Sequence, residues 1–248
     1  MSLSISNSDL VTRVSFPGWF ASVAFIVVLL AHPWAMSQTT QNEDETVDIQ
    51  VNSPEELVAR QQAEALNNRG YELLEAEQYA EAEQLFRRSL RLDSTSQSYF
   101  ENLARSLGGQ QKIKQVVEVY TRAQRQFPQV ADLYYYRGDA LQKLQQYDAA
   151  RKDYTKALVL ADENPNTQLR HLYYFNRGNT YLKQRDYAAA RQDYDRALQV
   201  NEFHFASYAN RGFARFNLKD KQGACDDWHK ALESGYEAAQ QYLTKYCE

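Results

Sequence analysis

His171-Leu-Tyr-Tyr-Phe-Asn-Arg-Gly178-Asn-Thr-Tyr-Leu182 and, after a short polar turn, Asp186-Tyr-Ala-Ala-Ala190-Arg-Gln-Asp-Tyr194-Asp-Arg-Ala197-Leu198 decide the fold of this chain. Both halves recur at the helical spacing of three and four residues, so each reads as one amphipathic helix. Lys183 to Asp186 is long enough only to turn the chain back on itself. Gly178 and Ala190 are small, and both are expected where the two antiparallel helices cross most closely. Tyr174, Tyr181, Tyr194 and Leu198 supply bulk beside that contact. Small residues permit close approach, and rings fill the space beside them.

Working outward, the same device recurs. Gly70, Ala104, Gly138, Gly178 and Gly212 occupy one equivalent site, at intervals of 34, 34, 40 and 34 residues. Ala82, Val116, Ala150, Ala190 and Ala224 keep the same phase twelve residues on. Phe86, Tyr120, Tyr154, Tyr194 and Trp228 follow four later, then Ser89, Ala123, Ala157, Ala197 and Ala231 three after those. Four registers agreeing over five units is a specific signal. A period of 34 with this alternation of small and aromatic residues resembles the tetratricopeptide repeat.

The resemblance covers roughly 63–231. It implies an all-α, right-handed α-solenoid of five helix pairs, whose first helices line a concave groove. The repeats fall at 63–96, 97–130, 131–164, 171–204 and 205–235, within a repeat region of 54–235. The departures are informative. Where the family usually has leucine before the small residue, Arg69, Arg137, Arg177 and Arg211 stand, and Asp153, Asp193 and Asp227 lie sixteen residues after the last three. That pairing reads as ion pairs stitching helices together, the competing reading being an arginine row facing a ligand. Repeat two is the weakest match, with Ala104 for glycine, Val116 for alanine and Gly108-Gly109 ending its first helix. Six extra residues lie within 162–170, and Pro165 makes them a loop.

Residues 1–37 fall outside the solenoid. Arg13 precedes an apolar run from Trp19 to Ala31, then Pro33 and Ala35-Met-Ser37. A basic start, an apolar stretch of this length and a small-residue site describe a secretory signal peptide. The run of 13 residues is shorter than the roughly 20 that span a bilayer, which disfavours a retained anchor. Export to a bacterial periplasm is the expectation. Residues 38–53 are polar and acidic and read as a disordered tether. Ser53-Pro54-Glu55-Glu56 is a helix start, serine capping, proline at the first turn and carboxylates at the positive helix end. The first helix is thereby expected from Pro54 to about Ala76.

Charge excludes some functions. The net charge is −4, and removing Arg13 and Asp9 with the leader leaves it at −4. That mild acidity argues against nucleic acid, which calls for a basic stripe. No glycine-rich phosphate loop supports a nucleotide. The 18 tyrosines fall mostly at packing sites, such as Tyr134, Tyr154, Tyr174 and Tyr194. Cys225 and His229, one helical turn apart beside Asp226, are too few ligands for a metal site. No nucleophile, base and acid can be argued from spacing. The reading is no enzyme, no metal and no cofactor.

Cys225 lies ten residues before Gly235 and Cys247 twelve after it, so a fold-back at Gly235 brings them nearly level. In an exported protein they can bridge; the alternative is a buried thiol and an unrelated one at a frayed end. Residues 236–248 form a capping helix, with Gln240, Gln241 and Lys245 beside Tyr236, Ala239 and Leu243.

If the resemblance holds, the groove is lined by the residue after each small residue and the one three before it. Those are Asn67 and Tyr71, Glu101 and Arg105, Tyr135 and Asp139, Phe175 and Asn179, then Ala209 and Phe213, with Phe216 nearby. This mixed surface suits an extended peptide or a helix of a protein partner. Some tetratricopeptide domains clamp a chaperone's terminal carboxylate with lysine, asparagine and arginine. Here Tyr71, Asp132, Tyr136, Leu172 and Ala206 stand in those places, so that clamp is rejected. An envelope interaction scaffold is the primary expectation. The alternatives are a self-associating structural solenoid, against which the cap argues, and a cell-wall glycan binder.

Overall fold

The described part of the chain starts with a cap. The Ser53 hydroxyl accepts the Glu56 N–H at 3.2 Å, and the Glu56 carboxylate accepts the Ser53 N–H at 2.9 Å. This reciprocal pair satisfies donors that a helix end otherwise leaves open. Pro54 follows in the first turn. This computed structural model describes residues 53–163 and 169–247. The leader and acidic stretch of residues 1–52, and most of the six-residue insertion, lie outside the described residues.

The described residues form eleven helices and no strand. They are α1 (Pro54–Glu75), α2 (Tyr79–Leu92), α3 (Gln97–Gly109), α4 (Ile113–Gln126), α5 (Ala131–Lys143), α6 (Tyr147–Glu163), α7 (Arg170–Lys183), α8 (Tyr187–Val200), α9 (Phe205–Asn217), α10 (Lys221–Glu233) and α11 (Ala239–Tyr246). Consecutive helices pack in antiparallel pairs to make an α-solenoid of five pairs with α11 as its cap. First helices also pack on first helices, α1 with α3, α5 with α7 and α7 with α9. No second helix packs comparably on another second helix, which places the first helices on the inside of the curve. The capping helix is shorter than the sequence implied. Gly235 turns the chain at φ 95°, and Tyr236–Ala238 remain outside the helix.

Each pair is closed by one turn geometry. Glu77, Gln111, Gln145, Arg185 and Lys219 all have φ between 58° and 70°. In the first, the Gln78 N–H donates to the Leu73 carbonyl at 2.8 Å and the Glu77 N–H to Leu74 at 3.1 Å. These bonds satisfy carbonyls at the helix end. A side chain in the left-handed region costs about 1–2 kcal/mol, which the packed helices on either side offset.

The aromatic of each pair makes the tightest contact with the glycine. In the four pairs that carry glycine, a Cβ there would first meet the aromatic sixteen residues on, and at Gly212 also the Ala224 carbonyl at 3.1 Å. A Cβ at Gly178 would stand 2.9 Å from Tyr194 Cε1, and one at Gly138 2.7 Å from Tyr154 Cε1. Ala190 is fully buried in a cluster with Tyr194 and Ala214. The ring comes so close to bare helix backbone that a methyl there would meet it, and that contact favours glycine. Gly109 has a similar function in the weakest repeat, where a Cβ would meet the Tyr79 ring at 2.5 Å.

In the last three repeats the arginines before the glycines are stitches. Arg137 grips Asp153 with two bonds of 2.7 Å, Arg177 grips Asp193 at 2.8 and 2.7 Å, and Arg211 grips Asp227 at 2.9 and 2.6 Å. Their remaining nitrogens reach back one repeat, to Thr121, Thr155 and Asp195. Each guanidinium thus ties a first helix to its own second helix and to the preceding one. The fork geometry suits arginine and not lysine.

Candidate functional site

The groove face grows out of the same stitching. In repeats three and four the residue after the glycine is a polar acceptor for a buried ring. Tyr154 donates its hydroxyl to Asp139 at 2.6 Å, and Tyr194 donates to Asn179 at 2.8 Å. The next first helix adds a second donor. Asn176 Nδ2 reaches Asp139 at 2.9 Å, and Asn210 Nδ2 reaches Asn179 at 2.8 Å. The middle of the groove is a hydrogen-bonded ladder whose members are already satisfied. Burial raises the Asp139 carboxyl above its usual range, although Tyr154, Lys143 and Asn176 pull the other way.

At both ends the ladder stops, because both of its partners change. Repeat one has Phe86 and repeat five Trp228 where repeats three and four have tyrosine. Trp228 donates its indole N–H to the Ala209 carbonyl at 3.2 Å. Neither ring offers a hydroxyl to the residue after the glycine. Those residues are Tyr71, 43% exposed, and Phe213, 39% exposed. Tyr71 is covered on one side by the Arg105 guanidinium, 5.6 Å from its ring centre. Phe213 packs edge-on to Tyr187 at 6.5 Å and is otherwise open.

The remaining expected groove residues divide. Asn67, 8% exposed, accepts from Asn102 Nδ2 at 3.1 Å and belongs to the α1–α3 interface. Tyr135, also 8% exposed, lies among Tyr154 and Tyr173, with ring centres 6.1 and 5.1 Å away. Neither offers a partner a surface. Both face the neighbouring first helix, Asn67 against Asn102 and Tyr135 against Tyr173. Phe216 is turned to the cap, its ring 4.5 Å from Tyr246 and 6.0 Å from Trp228, so it is a packing residue and not a groove residue. Glu101 is half-buried and accepts from Gln97 at 2.6 Å. Arg105 is exposed beside Glu75 at 3.3 Å. Phe175 is half-buried between Tyr194 and His204, at 5.9 and 4.7 Å. Burial and the neighbouring His171 lower the pKa of His204.

Phe213 lines a cleft of about 450 Å³. Its walls come from three elements: Lys183, Arg185 and Tyr187 at the α7–α8 turn, Asn210 on α9, and Tyr236 and Tyr242 of the cap. Sequence reasoning missed these walls. No local motif marks them, because the turn and the cap are brought together only by folding. Tyr242 is itself held by stacking on Trp228 at 5.4 Å. A smaller cleft of about 190 Å³ between repeats two and three is lined by Arg105, Tyr136, Asp139 and Lys143.

Cys225 and Cys247 meet behind the cap, with Cα atoms 5.9 Å apart and sulfurs 2.05 Å apart. Among the described residues no group of three or more histidine, cysteine or carboxylate side chains is placed to hold a metal ion. His229 is exposed.

Sequence models of the tetratricopeptide repeat match residues 63–96, 131–164 and 171–204. None of the curated proteins matches the chain. Several solved structures share the fold. A crystal structure of MamA protein superposes with a TM-score of 0.63 at 17% identity, covering 73% of this chain and 95% of that one. PilF of Pseudomonas aeruginosa gives 0.62 at 17% identity, over 72% of this chain and 78% of its own. YrrB, described as a tetratricopeptide protein with an unusual peptide-binding site, gives 0.59 at 18% identity, over 72% and 90%. At these identities the likeness is one of fold.

Proposed function

We propose that this chain, a tetratricopeptide-repeat protein, is a non-catalytic scaffold of the cell envelope that holds a segment of a partner protein in its groove. Proteins built on this repeat generally act by binding other proteins, and YrrB is a precedent for peptide binding on the same fold. The observation that carries the reading is Phe213. It is an exposed aromatic on the inner helix face, standing where repeats three and four have the polar Asp139 and Asn179 and carrying no hydrogen-bonding group that could tie it into the ladder. A large apolar side chain in a walled cleft is how an interface anchors a partner. The reading takes a protein ligand, with neither nucleic acid nor nucleotide. It also has the leader through Ser37 removed on export and Cys225 bridged to Cys247 in the oxidising compartment, fixing the cap that walls the cleft.

Photocrosslinking tests it. A photoreactive residue is placed at Phe213 or Asn179 on the inner face, and at Lys156 or Arg196 on second helices. Crosslinks to one defined segment of one envelope protein are expected from the inner pair only. Equal labelling from both faces, or labelling only from the second helices, contradicts the reading.

A further inference from the structure

The cleft around Phe213 has a sign. Lys183 and Arg185 stand on its rim, both exposed, and the residues lining it include no carboxylate. The nearest acid in that turn, Asp186, is directed elsewhere. Its carboxylate accepts the Ala189 N–H at 3.1 Å and caps α8. The arginines on the helices around it are committed: Arg177 to Asp193, Arg211 to Asp195 and Asp227, and Arg215 to Asp227. Among the described residues no ion pair neutralises Lys183 or Arg185. In a chain of net charge −4, an aromatic cleft with a purely cationic rim is a local exception.

The rim and the aromatic lining differ in what they accept. Tyr187, Phe213, Tyr236 and Tyr242 offer ring faces and edges to one large apolar side chain. The volume of about 450 Å³ holds such a group with a stretch of backbone. Lys183 and Arg185 are on one side, at the end of α7 and in the turn after it, two residues apart. They offer two positive charges to side chains flanking the anchor. We propose that the cleft receives an internal acidic segment of a partner protein, with one phenylalanine or leucine seated on Phe213 and flanking aspartates or glutamates facing Lys183 and Arg185. This rests on the groove reading above and adds the chemistry of the ligand. Charge on the rim selects the partner and speeds encounter, while the buried ring supplies most of the affinity.

The test uses the full chain, oxidised, and three fluorescent peptides read by anisotropy. One carries a central phenylalanine flanked by glutamates and aspartates. The second has those acids replaced by glutamine, and the third by lysine. The acidic peptide is expected to bind at least about tenfold more tightly than the lysine peptide, with the glutamine peptide between. The Lys183→Glu, Arg185→Glu double variant should abolish or invert that order. Phe213→Ala should weaken all binding by about tenfold or more. Lys156→Ala, on a second helix away from the inner face, should change nothing. Raising ionic strength to about 1 M, where screening sets in at about 3 Å, should erase the preference in the unaltered protein.

Acidic and lysine peptides binding alike would overturn the proposal, as would no binding by the acidic peptide. Binding that requires Phe213 but ignores Lys183 and Arg185 would overturn it while leaving the groove reading standing. The groove reading itself fails only with the crosslinking pattern.

Discussion

In α1–α4 the helices are held by one apolar cluster running from Ala63 into α5, with Phe86, Phe100, Leu103 and Leu107 at its centre. In α5–α10 the apolar clusters are smaller and separate, and arginine–aspartate forks span the gaps. The first two repeats have no such fork. Arg69 pairs with Glu72 on the surface, and Leu103 occupies the arginine position in repeat two. A part-buried polar link there is Glu83, which accepts from Arg87, Lys112 and Gln110 at 2.8 Å each. Burial alone would raise Glu83, but these donors hold it down to about 2. The difference teaches where specificity is needed. A fork fixes the angle between three helices, so the inner face of the last three repeats is held in one geometry, and that is where the Phe213 cleft lies.

The largest expected effect breaks a fork. Arg177→Ala leaves Asp193 buried and unpaired, and should cost about 3–5 kcal/mol. Arg69→Ala removes only an exposed pair and should cost about 0–1 kcal/mol. Urea denaturation of both checks the contrast, and equal losses would erase the division between the two halves.

Next in size is the glycine contact. Gly138→Ala forces the Tyr154 ring to move and should cost about 1–3 kcal/mol. Repeat two already carries Ala104, so the reverse change, Ala104→Gly, should also destabilise, by about 1 kcal/mol from helix propensity. Thermal melts of the pair sharpen the comparison. A stabilised Gly138→Ala would mean that the ring contact is loose.

The smallest effect concerns the ladder. Asp139→Asn copies repeat four, where Asn179 already accepts from a tyrosine and an asparagine. Burial raises the folded-state value of Asp139, so its stability contribution is present below the unfolded value and is lost as pH rises through the folded one. The variant should therefore match the parent in acid and exceed it slightly at neutral pH. Melting curves across that range check the sign, and a variant weaker at neutral pH contradicts it.

Much of this was legible in the chain. The period of 34 located all ten repeat helices, the sixteen-residue spacing paired Arg137, Arg177 and Arg211 with their aspartates, and Ser53 marked the first cap. The site was legible in part. Tyr135 and Asn67 were misplaced because phase along one helix does not say how large the neighbouring first helix is. Phe216 was misplaced because the cap reaches it from outside the repeat. One signal was available and unused. Tyr71 and Phe213 stand where repeats three and four have Asp139 and Asn179, so a large ring replaces the small polar acceptor of the ladder and is left part-exposed. Tyr236 and Tyr242 join Lys183 and Arg185 only through three-dimensional convergence, which no linear pattern encodes.

The central claim is that the partner sits in the C-terminal half of the groove and that the N-terminal repeats are structural. Amide exchange with and without the acidic peptide tests it most directly. The account predicts added protection confined to α7, α9, the α7–α8 turn and the cap from Tyr236 to Tyr246, with α1 to α4 unchanged. Protection centred on α1 to α4, or none at the cap, would contradict it.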